Sequence, residues 1–402
     1  MVRLVKVGGG VLTQFDNGQV YLSSTGMHLS GGGSTFIVPS WDNSPARGPF
    51  APRDSARGVI FQNHLWLSGG FATPTNTDSC FLTCSFFDLW SSADSVGAEW
   101  NSSASFATAM APNPRDVDPI VNNGVMDVDR PTDFYDSYSA IAVWNNQLTA
   151  VGSTVWRSPD GVVWTRNNQS DGTTAMPGPA PIRATENSRA VKLGSTLFFV
   201  QPDSGEVYST TDPTAARWAD LGAIPNFVPR CGSAVFTLQG RIWIVGGGAC
   251  DYSAVFNELW SSPDGINWTL SPTNAQWSPR MWPCVGKYDE TLVFIAGGYS
   301  PIDWTNTSGM PRVRFGANHA DVWFTRDGGT WKQLKADAGS GLVDDGTMEA
   351  RHGSTCYVGT GAAGQRTLTV VAGTGGADVD DSNARPLNTI RVLPLPDAEL
   401  LQ

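Results

Sequence analysis

The sequence predicts an all-β fold built from repeated four-stranded units, and three observations support this prediction. A short hairpin pattern recurs along the chain, glycine pairs follow apolar strands, and only 16% of the 402 residues are charged. The 44 glycines and 26 prolines indicate frequent turns, while 41% hydrophobic residues and 16 tryptophans supply a large core. A chain of this composition buries enough apolar surface to exclude disorder as its main state.

The recurring hairpin consists of an aromatic strand, a Ser or Thr, an Asp-Gly turn and a Trp. The clearest copies are residues 155–164, 259–268 and 322–331, and looser copies are residues 89–100, 207–218 and 20–29. Asp-Gly supplies the positive φ that a tight hairpin turn requires, and the flanking β-branched and aromatic residues favour paired strands. Six copies of one hairpin predict an array of similar units.

Two further strands precede each hairpin, and together they complete a four-stranded unit. The second strand is apolar and ends in glycines, as in residues 64–70, 241–248 and 292–298, while the first strand carries an Arg or Asp near its start. The third-strand aromatic recurs after about 50 to 70 residues, which is the size of a propeller blade. We therefore predict one β-propeller domain over residues 1–402, with seven blades or alternatively six, closed by pairing of the N- and C-terminal strands. The predicted blades are 1–47, 53–104, 135–170, 187–223, 229–273, 279–336 and 350–396.

These strand patterns resemble kelch-type β-propellers. The resemblance covers residues 53–395 and is clearest at 229–272 and 278–334. The Ser-Pro-Asp-Gly-x-x-Trp turns also look like the Asp-box hairpins of sialidase-like propellers, although they are one residue shorter. Because kelch propellers include oxidases, sugar epimerases, peptide-binding adaptors and structural proteins, the resemblance implies a fold and does not select a function.

Blade geometry places the longest predicted loops on one face, at 71–87, 104–134, 249–257, 299–319, 337–349 and 377–387. The starts of the first strands reach the same face, and long loops there are typical of functional surfaces. The candidate ligand-binding residues are Arg57, Asp136, Tyr138, Arg189, Arg230, Arg280, Trp282, Arg351 and His352. Five converging guanidiniums predict an anion site for a carboxylate, an acidic sugar or an acidic peptide. The alternative is structural, because Arg at this position belongs to the kelch pattern and can bond loop carbonyls.

The same face carries loop aromatics that could stack on sugar rings or simply pack against the propeller. They are Tyr135, Tyr252, Trp282, Tyr299 and Trp304. No cofactor is expected, although Asp378, Asp380 and Asp381 are weak candidates for binding Ca²⁺.

Six cysteines are too few for a disulfide scaffold in a chain of this length. Cys231, Cys284 and Cys356 lie in apolar strand-like runs and are predicted to be small core residues. Cys80 and Cys84 lie close together in a loop and are the candidates for a local disulfide.

A net charge of −11 without a basic run argues against a nucleic-acid partner. No apolar stretch reaches the roughly 20 residues of a membrane helix, so membrane insertion is not expected. The N-terminus lacks the apolar region of a signal peptide. We therefore expect a cytoplasmic protein or one released by lysis as part of a virion.

The preferred interpretation is a non-enzymatic recognition or structural protein that presents its long-loop face to a glycan or protein receptor. A phage tail, fibre or decoration component fits this interpretation, with other subunits of a larger assembly as partners. The alternative is a carbohydrate-active enzyme, either a sugar epimerase or mutarotase or a sialidase-like enzyme, with its site at the mouth of the central channel.

Overall fold

A computed structural model of the chain shows an all-β architecture of antiparallel sheets. The described residues are 3–7, 10–14, 20–22, 28–29, 41–42, 47–72, 84–86, 88–94, 97–103, 140–152, 155–166, 184–303, 315–336, 348–360, 364–375, 385–396 and 401. They contain 34 strands and no helix, which confirms the predicted all-β class.

The first four principal sheets each contain four strands. Sheet I contains β1 (Arg3–Val7), β2 (Gly10–Gln14), β3 (Val20–Leu22) and β4 (His28–Leu29). Sheet II contains β5 (Arg57–Phe61), β6 (His64–Ser68), β9 (Leu89–Ser92) and β10 (Trp100–Ser102), and the pair β7 (Phe71–Ala72) and β8 (Cys84–Ser85) lies between β6 and β9 in the chain. Sheet III contains β11 (Ala140–Trp144), β12 (Gln147–Val151), β13 (Val155–Ser158) and β14 (Thr165–Arg166). Sheet IV contains β15 (Arg189–Leu193), β16 (Thr196–Gln201), β17 (Glu206–Thr210) and β18 (Ala219–Ala223).

The remaining principal sheets follow the same strand order, and two of them are accompanied by smaller sheets. Sheet V contains β19 (Ala234–Leu238), β20 (Arg241–Val245), β21 (Leu259–Ser262) and β22 (Thr269–Leu270). Sheet VI contains β23 (Cys284–Asp289), β24 (Leu292–Ala296), β27 (Val322–Thr325) and β28 (Trp331–Lys335), with the pair β25 (Tyr299–Asp303) and β26 (Phe315–Asn318) beside it in the chain. Sheet VII contains β30 (Thr355–Thr360), β31 (Arg366–Val371) and β34 (Ile390–Pro394), and β29 (Arg351–His352), β32 (Thr374–Gly375) and β33 (Arg385–Pro386) form a three-stranded sheet.

The hairpins between third and fourth strands share similar hydrogen bonds, in which an Asp carboxylate accepts backbone N–H groups and a Trp indole donates to a carbonyl. In residues 158–164, Asp160 Oδ1 accepts the N–H groups of Val162 and Val163, each at 2.8 Å. Ser158 Oγ accepts the N–H of Gly161 at 2.7 Å, and the Trp164 indole donates to the Gly161 carbonyl at 3.1 Å. The turns around Asp94, Asp212, Asp264 and Asp327 repeat the carboxylate and indole bonds. Turn chemistry encoded in seven to nine adjacent residues therefore sets each of these hairpins.

Among the described residues, the core consists of six hydrophobic clusters that lie between sheets. One cluster lies between each consecutive pair from sheet II to sheet VII, and the sixth joins sheet VII to sheet II. The first strands follow the same order: β5 contacts β11, β11 contacts β15, β15 contacts β19, β19 contacts β23, β23 contacts β30 and β30 contacts β5. These six strands line a central cavity of about 800 Å³.

A segment from the N-terminal part of the chain pairs with sheet VII. Asp42 and Val392 exchange backbone hydrogen bonds of 2.7 and 3.2 Å, so the segment at Asp42 runs along the edge of β34. Trp41 packs into the cluster between sheets VI and VII. Residues distant in sequence thus complete the outer edge of the last sheet.

Two disulfides involve Cys231, Cys284 and Cys356, which the sequence predicts to be small core residues. Cys231 is half-buried, so the prediction is wrong for that residue. Cys284 and Cys356 are buried as predicted, but they are bonded to each other and join β23 to β30. Cys231 is bonded to Cys250, and its Cα lies 5.0 Å from that of Cys250. The predicted Cys80–Cys84 bridge lies outside the described residues.

Candidate functional site

Four arginines occupy equivalent positions, each four residues before the first residue of a first strand: Arg53, Arg230, Arg280 and Arg351. Arg280 shows the arrangement most completely. Its guanidinium donates to both carboxylate oxygens of Asp321, at 2.5 and 2.9 Å, and to the Gly297 carbonyl at 2.9 Å. Only 1% of Arg280 is exposed. The bonds connect the beginning of β23 to the end of β24 and the beginning of β27, so they hold three strands together.

The other three members also pair with carboxylates, which precede the third strand for Arg53 and Arg230 and lie two residues before the arginine for Arg351. Arg53 binds Asp88 at 2.5 Å, Arg230 binds Glu258 at 2.9 Å and Arg351 binds Glu349 at 2.6 Å. In three of the four cases the carboxylate also accepts an indole N–H from a third-strand tryptophan, namely Trp90, Trp260 or Trp323. These four residues are called the anchor arginines. Three of them, Arg230, Arg280 and Arg351, belong to the predicted set of five guanidiniums and have structural partners.

Arg57 and Arg189 form the second group, because each is the first residue of a first strand and lines the cavity. Arg57 Nη2 and Arg189 Nη1 both donate to the carbonyl oxygen of Glu186, the latter at 2.8 Å. Arg57 comes from sheet II and Arg189 from sheet IV, so the two side chains meet across the start of sheet III. Burial and the nearby charge of Arg57 hold the pKa of Arg189 well below its usual value. The shared oxygen therefore holds two positive charges close together at one end of the cavity.

Two carboxyl groups near these arginines have pKa values shifted in opposite directions. Burial, together with the charge of Asp54, raises the pKa of Glu186. Burial also acts to raise the pKa of Asp54, but the charge of His352 and hydrogen bonds from His352, Thr374 and Ser55 outweigh burial and lower it. Asp54 is therefore ionised at neutral pH, whereas Glu186 takes up a proton more readily than an exposed glutamate.

His352 is held between two acceptors. Its Nδ1 lies 2.6 Å from Asn318 Oδ1 and its Nε2 lies 3.4 Å from Asp54 Oδ2. Asn318 Nδ2 donates to the Thr374 carbonyl, which fixes the amide with its oxygen towards His352. Both ring nitrogens therefore face oxygens that only accept hydrogen bonds.

Aromatic rings extend the site from His352. The Trp282 ring centroid lies 5.5 Å from that of His352, 5.8 Å from that of Tyr252 and 6.4 Å from that of Tyr299. Trp282 has a φ of 50°, and its N–H donates to the Gly232 carbonyl at 2.6 Å. A left-handed backbone at a bulky residue is uncommon and costs free energy, so the surrounding packing holds Trp282 against His352.

A Ser–His pair near this site has hydrogen bonds in the wrong direction for a nucleophile and its general base. Ser300 Oγ lies 2.5 Å from the Pro279 carbonyl and 2.8 Å from His319 Nε2. A carbonyl accepts only, so the Ser300 hydroxyl donates to Pro279 and His319 donates to Ser300. His319 therefore carries its proton on the nitrogen that a general base would need free.

The structure brings together part of the predicted ligand-binding set. Arg57, Arg189, Trp282 and His352 lie at one end of the cavity, with Asp54 and Glu186 beside them. Asp136 and Tyr138 lie outside the described residues, as do Tyr135 and Trp304 and the calcium candidates Asp378, Asp380 and Asp381. Within the described ranges, no group of three His, Cys, Asp or Glu side chains is arranged to hold a metal ion.

Comparison with known proteins gives no relative: no family model and no curated protein sequence matches the chain. Over the part of the chain that the structure describes, no helix has the length and apolar character needed to cross a membrane.

Proposed function

We propose that sheets II to VII are the blades of a six-bladed β-propeller around the central cavity. The six inter-sheet clusters and the contact between β30 and β5 support this closed arrangement. Pairing of Asp42 with Val392 supports closure through an N-terminal segment in the last blade. Sequence periodicity favoured seven blades and left six as the alternative. In this proposal the hairpins of sheet I are an additional repeat that lies outside the ring. Membership of the kelch-type family is part of the same proposal.

We further propose that the protein is a non-enzymatic recognition protein whose loop face binds a glycan. One observation carries this proposal: the side chains of Arg57 and Arg189 share the Glu186 carbonyl at the end of the cavity. The two guanidiniums lie close together, and the carboxyl groups of Glu186 and Asp203 are nearby opposite charges. Planar guanidiniums suit a carboxylate ligand, which can accept paired hydrogen bonds from them.

The adjacent aromatic rings favour an acidic sugar as the ligand. The half-buried rings of Trp282 and Tyr252 provide apolar faces next to His352. A pyranose presents C–H groups to such faces and its hydroxyls to polar neighbours, while a uronic or sialic acid adds the carboxylate for the arginines. A receptor-binding component of a virion, assembled with other subunits, is the biological setting that we propose for this activity.

A glycan array with acidic and neutral sugars, followed by calorimetry with glucuronate, tests the proposal. We expect binding to acidic sugars, lost in Arg189→Ala and retained in Arg217→Ala, which removes an exposed arginine of the same sheet region. Thermal unfolding of both variants checks that the fold is intact. Equal binding by Arg189→Ala and the wild type would overturn the assignment of the site.

A carbohydrate-active enzyme is the second candidate, and Glu186 is the observation that favours it. A glutamate with a raised pKa beside two guanidiniums has the character of a general acid. Mass spectrometry of each bound glycan distinguishes the candidates. A product that forms with the wild type and disappears in Glu186→Gln would establish an enzyme, whereas binding without a product supports recognition.

A further inference from the structure

The Cys231–Cys250 disulfide lies between the arginine and aromatic parts of the candidate site. Cys231 precedes β19, and Cys250 lies in the loop after β20. Backbone hydrogen bonds of 2.7 and 2.9 Å pair Cys231 with Gly248, so the beginning and end of this covalent loop are aligned. Cys250 is exposed whereas Cys231 is half-buried. A reductant in solution can therefore reach a bond whose inner sulfur contacts the site.

The first connection from the disulfide leads to the arginines through Asn187. Asn187 is only 4% exposed, and its Nδ2 donates to Cys231 Sγ at 3.3 Å. Its Oδ1 accepts the N–H of Gly232 at 2.7 Å. Asn187 directly follows Glu186, whose carbonyl receives both Arg57 and Arg189. The contacts of Asn187 thus fix the backbone next to the oxygen on which the guanidiniums meet.

The second connection leads to the aromatic rings. The Gly232 carbonyl accepts the N–H of Trp282 at 2.6 Å, so the residue held by Asn187 also holds the backbone of Trp282. Tyr252, two residues after Cys250, packs its ring 5.8 Å from that of Trp282. Both halves of the proposed site are therefore linked to one disulfide by direct contacts.

We propose that the Cys231–Cys250 disulfide and Asn187 position the anion site, so that reduction of the disulfide weakens binding. This inference rests on the proposed function and adds a redox control to the same site. A dithiol reductant supplies two electrons and two protons, the S–S bond breaks to give two thiols, and the reductant becomes a disulfide. Asn187 is a positioning residue, because it acts through Glu186 and Gly232 and leaves ligand contact to the arginines.

A double-mutant cycle with glucuronate as the probe tests the relay. Cys250→Ser and Asn187→Ala are each expected to weaken binding roughly five-fold, the value of about one hydrogen bond. The double variant is expected to bind no more weakly than the poorer single variant, because both changes break the same chain of contacts. Ser253→Ala is the matched control, since it alters an exposed residue of the same loop and keeps the disulfide. Independent losses that multiply in the double variant would overturn the relay.

Dithiothreitol provides the redox arm of the same experiment. It is expected to lower the affinity of the wild type to that of Cys250→Ser and to leave the affinity of Cys250→Ser unchanged. An equal loss in both proteins would assign the effect to another disulfide, such as Cys284–Cys356, and would refute the proposal.

Amide hydrogen exchange gives a readout that needs no ligand. The N–H of Gly232 donates to Asn187 Oδ1 and the N–H of Trp282 donates to the Gly232 carbonyl, and these bonds protect both amides from exchange with solvent. Reduction of the disulfide is therefore expected to speed their exchange. If the oxidised wild type binds no acidic sugar, the proposed function fails while the exchange result still judges the relay. Unchanged exchange of both amides after reduction would overturn the relay even if sugar binding is found.

Discussion

Replacing Arg280 by Ala separates the structural role of an anchor arginine from a role in ligand binding. Arg280 and Asp321 are 1% and 5% exposed in their side chains, and two hydrogen bonds join them. The substitution removes those bonds and the bond to the Gly297 carbonyl. It leaves the Asp321 carboxylate buried next to the start of β27, where the indole N–H of Trp323 still donates to it at 2.8 Å.

The expected loss of unfolding free energy follows from this burial. Removing one partner of a buried ion pair costs about 3–5 kcal/mol, chiefly because the remaining charge stays desolvated. Water does not screen the pair, so the value for exposed salt bridges, about 0–1 kcal/mol, does not apply. The variant Arg280→Ala/Asp321→Asn removes the stranded charge. It is therefore expected to recover at least about 1 kcal/mol of the loss.

Urea unfolding of the wild type, Arg280→Ala and the double variant measures these differences, with Arg217→Ala as a surface control. Calorimetry with glucuronate is run on each folded protein at a temperature well below its transition. We expect lower stability and unchanged sugar affinity for Arg280→Ala. Wild-type stability combined with lost sugar binding would refute the reasoning and return Arg280 to the ligand site.

Three further predictions test the hairpins and the site. Gly161→Ala is expected to destabilise the fold by about 1–3 kcal/mol more than Gly194→Ala in urea unfolding. Both glycines have positive φ, but a Cβ at Gly161 meets Trp66 at 1.9 Å whereas one at Gly194 meets nothing within 4 Å, and equal losses would contradict this. Hydrogen bonds from Asn267 and its neighbours lower the pKa of Asp264 from 3.8 to about 2, so the stability it contributes is present above pH 3.8 and is lost as pH falls through about 2. Asp264→Asn should therefore be less stable than the wild type near pH 6 and equally stable near pH 2. An equal loss of stability at both pH values would contradict this prediction. Affinity for glucuronate should rise as pH falls towards the raised pKa of Glu186, because protonation of Glu186 removes a negative charge that competes with the ligand. Glu186→Gln should abolish that rise. Wild-type affinity that does not change with pH would exclude this role for Glu186.

The all-β fold and its hairpins were predictable because their determinants are local. Trp156, Trp260 and Trp323 each occupy the second position of a third strand, and the Asp-Gly sequence after each sets the turn. Turn geometry depends on a few adjacent residues, so it is readable without knowledge of distant contacts. How many units surround the cavity depends on which sheets pack together, and periodicity alone does not determine that.

The arginines show where sequence reasoning reached its limit. Arg57 was grouped with Arg230 and Arg280 because all lie near the start of a first strand, yet Arg53 is their structural equivalent. A shift of four residues takes the side chain from the loop into the strand that lines the cavity. The exact spacing to the strand was the signal that distinguishes the two groups. The disulfides carried no such signal, because Cys284 and Cys356 are brought together from a separation of 72 residues.

The site lies where sheet IV departs from the repeat. The position of an anchor arginine in sheet IV is occupied by Thr185, whose N–H and carbonyl form a tight turn with Ser188. That turn exposes the Glu186 carbonyl, and the arginine of this unit is displaced into the strand as Arg189. The anchor contact recurs in several sheets, so a unit that lacks it loses stability unless the substituted segment serves a function. The same short segment supplies Glu186, Asn187 and Arg189, which is the physical reason to seek both ligand recognition and its redox control there.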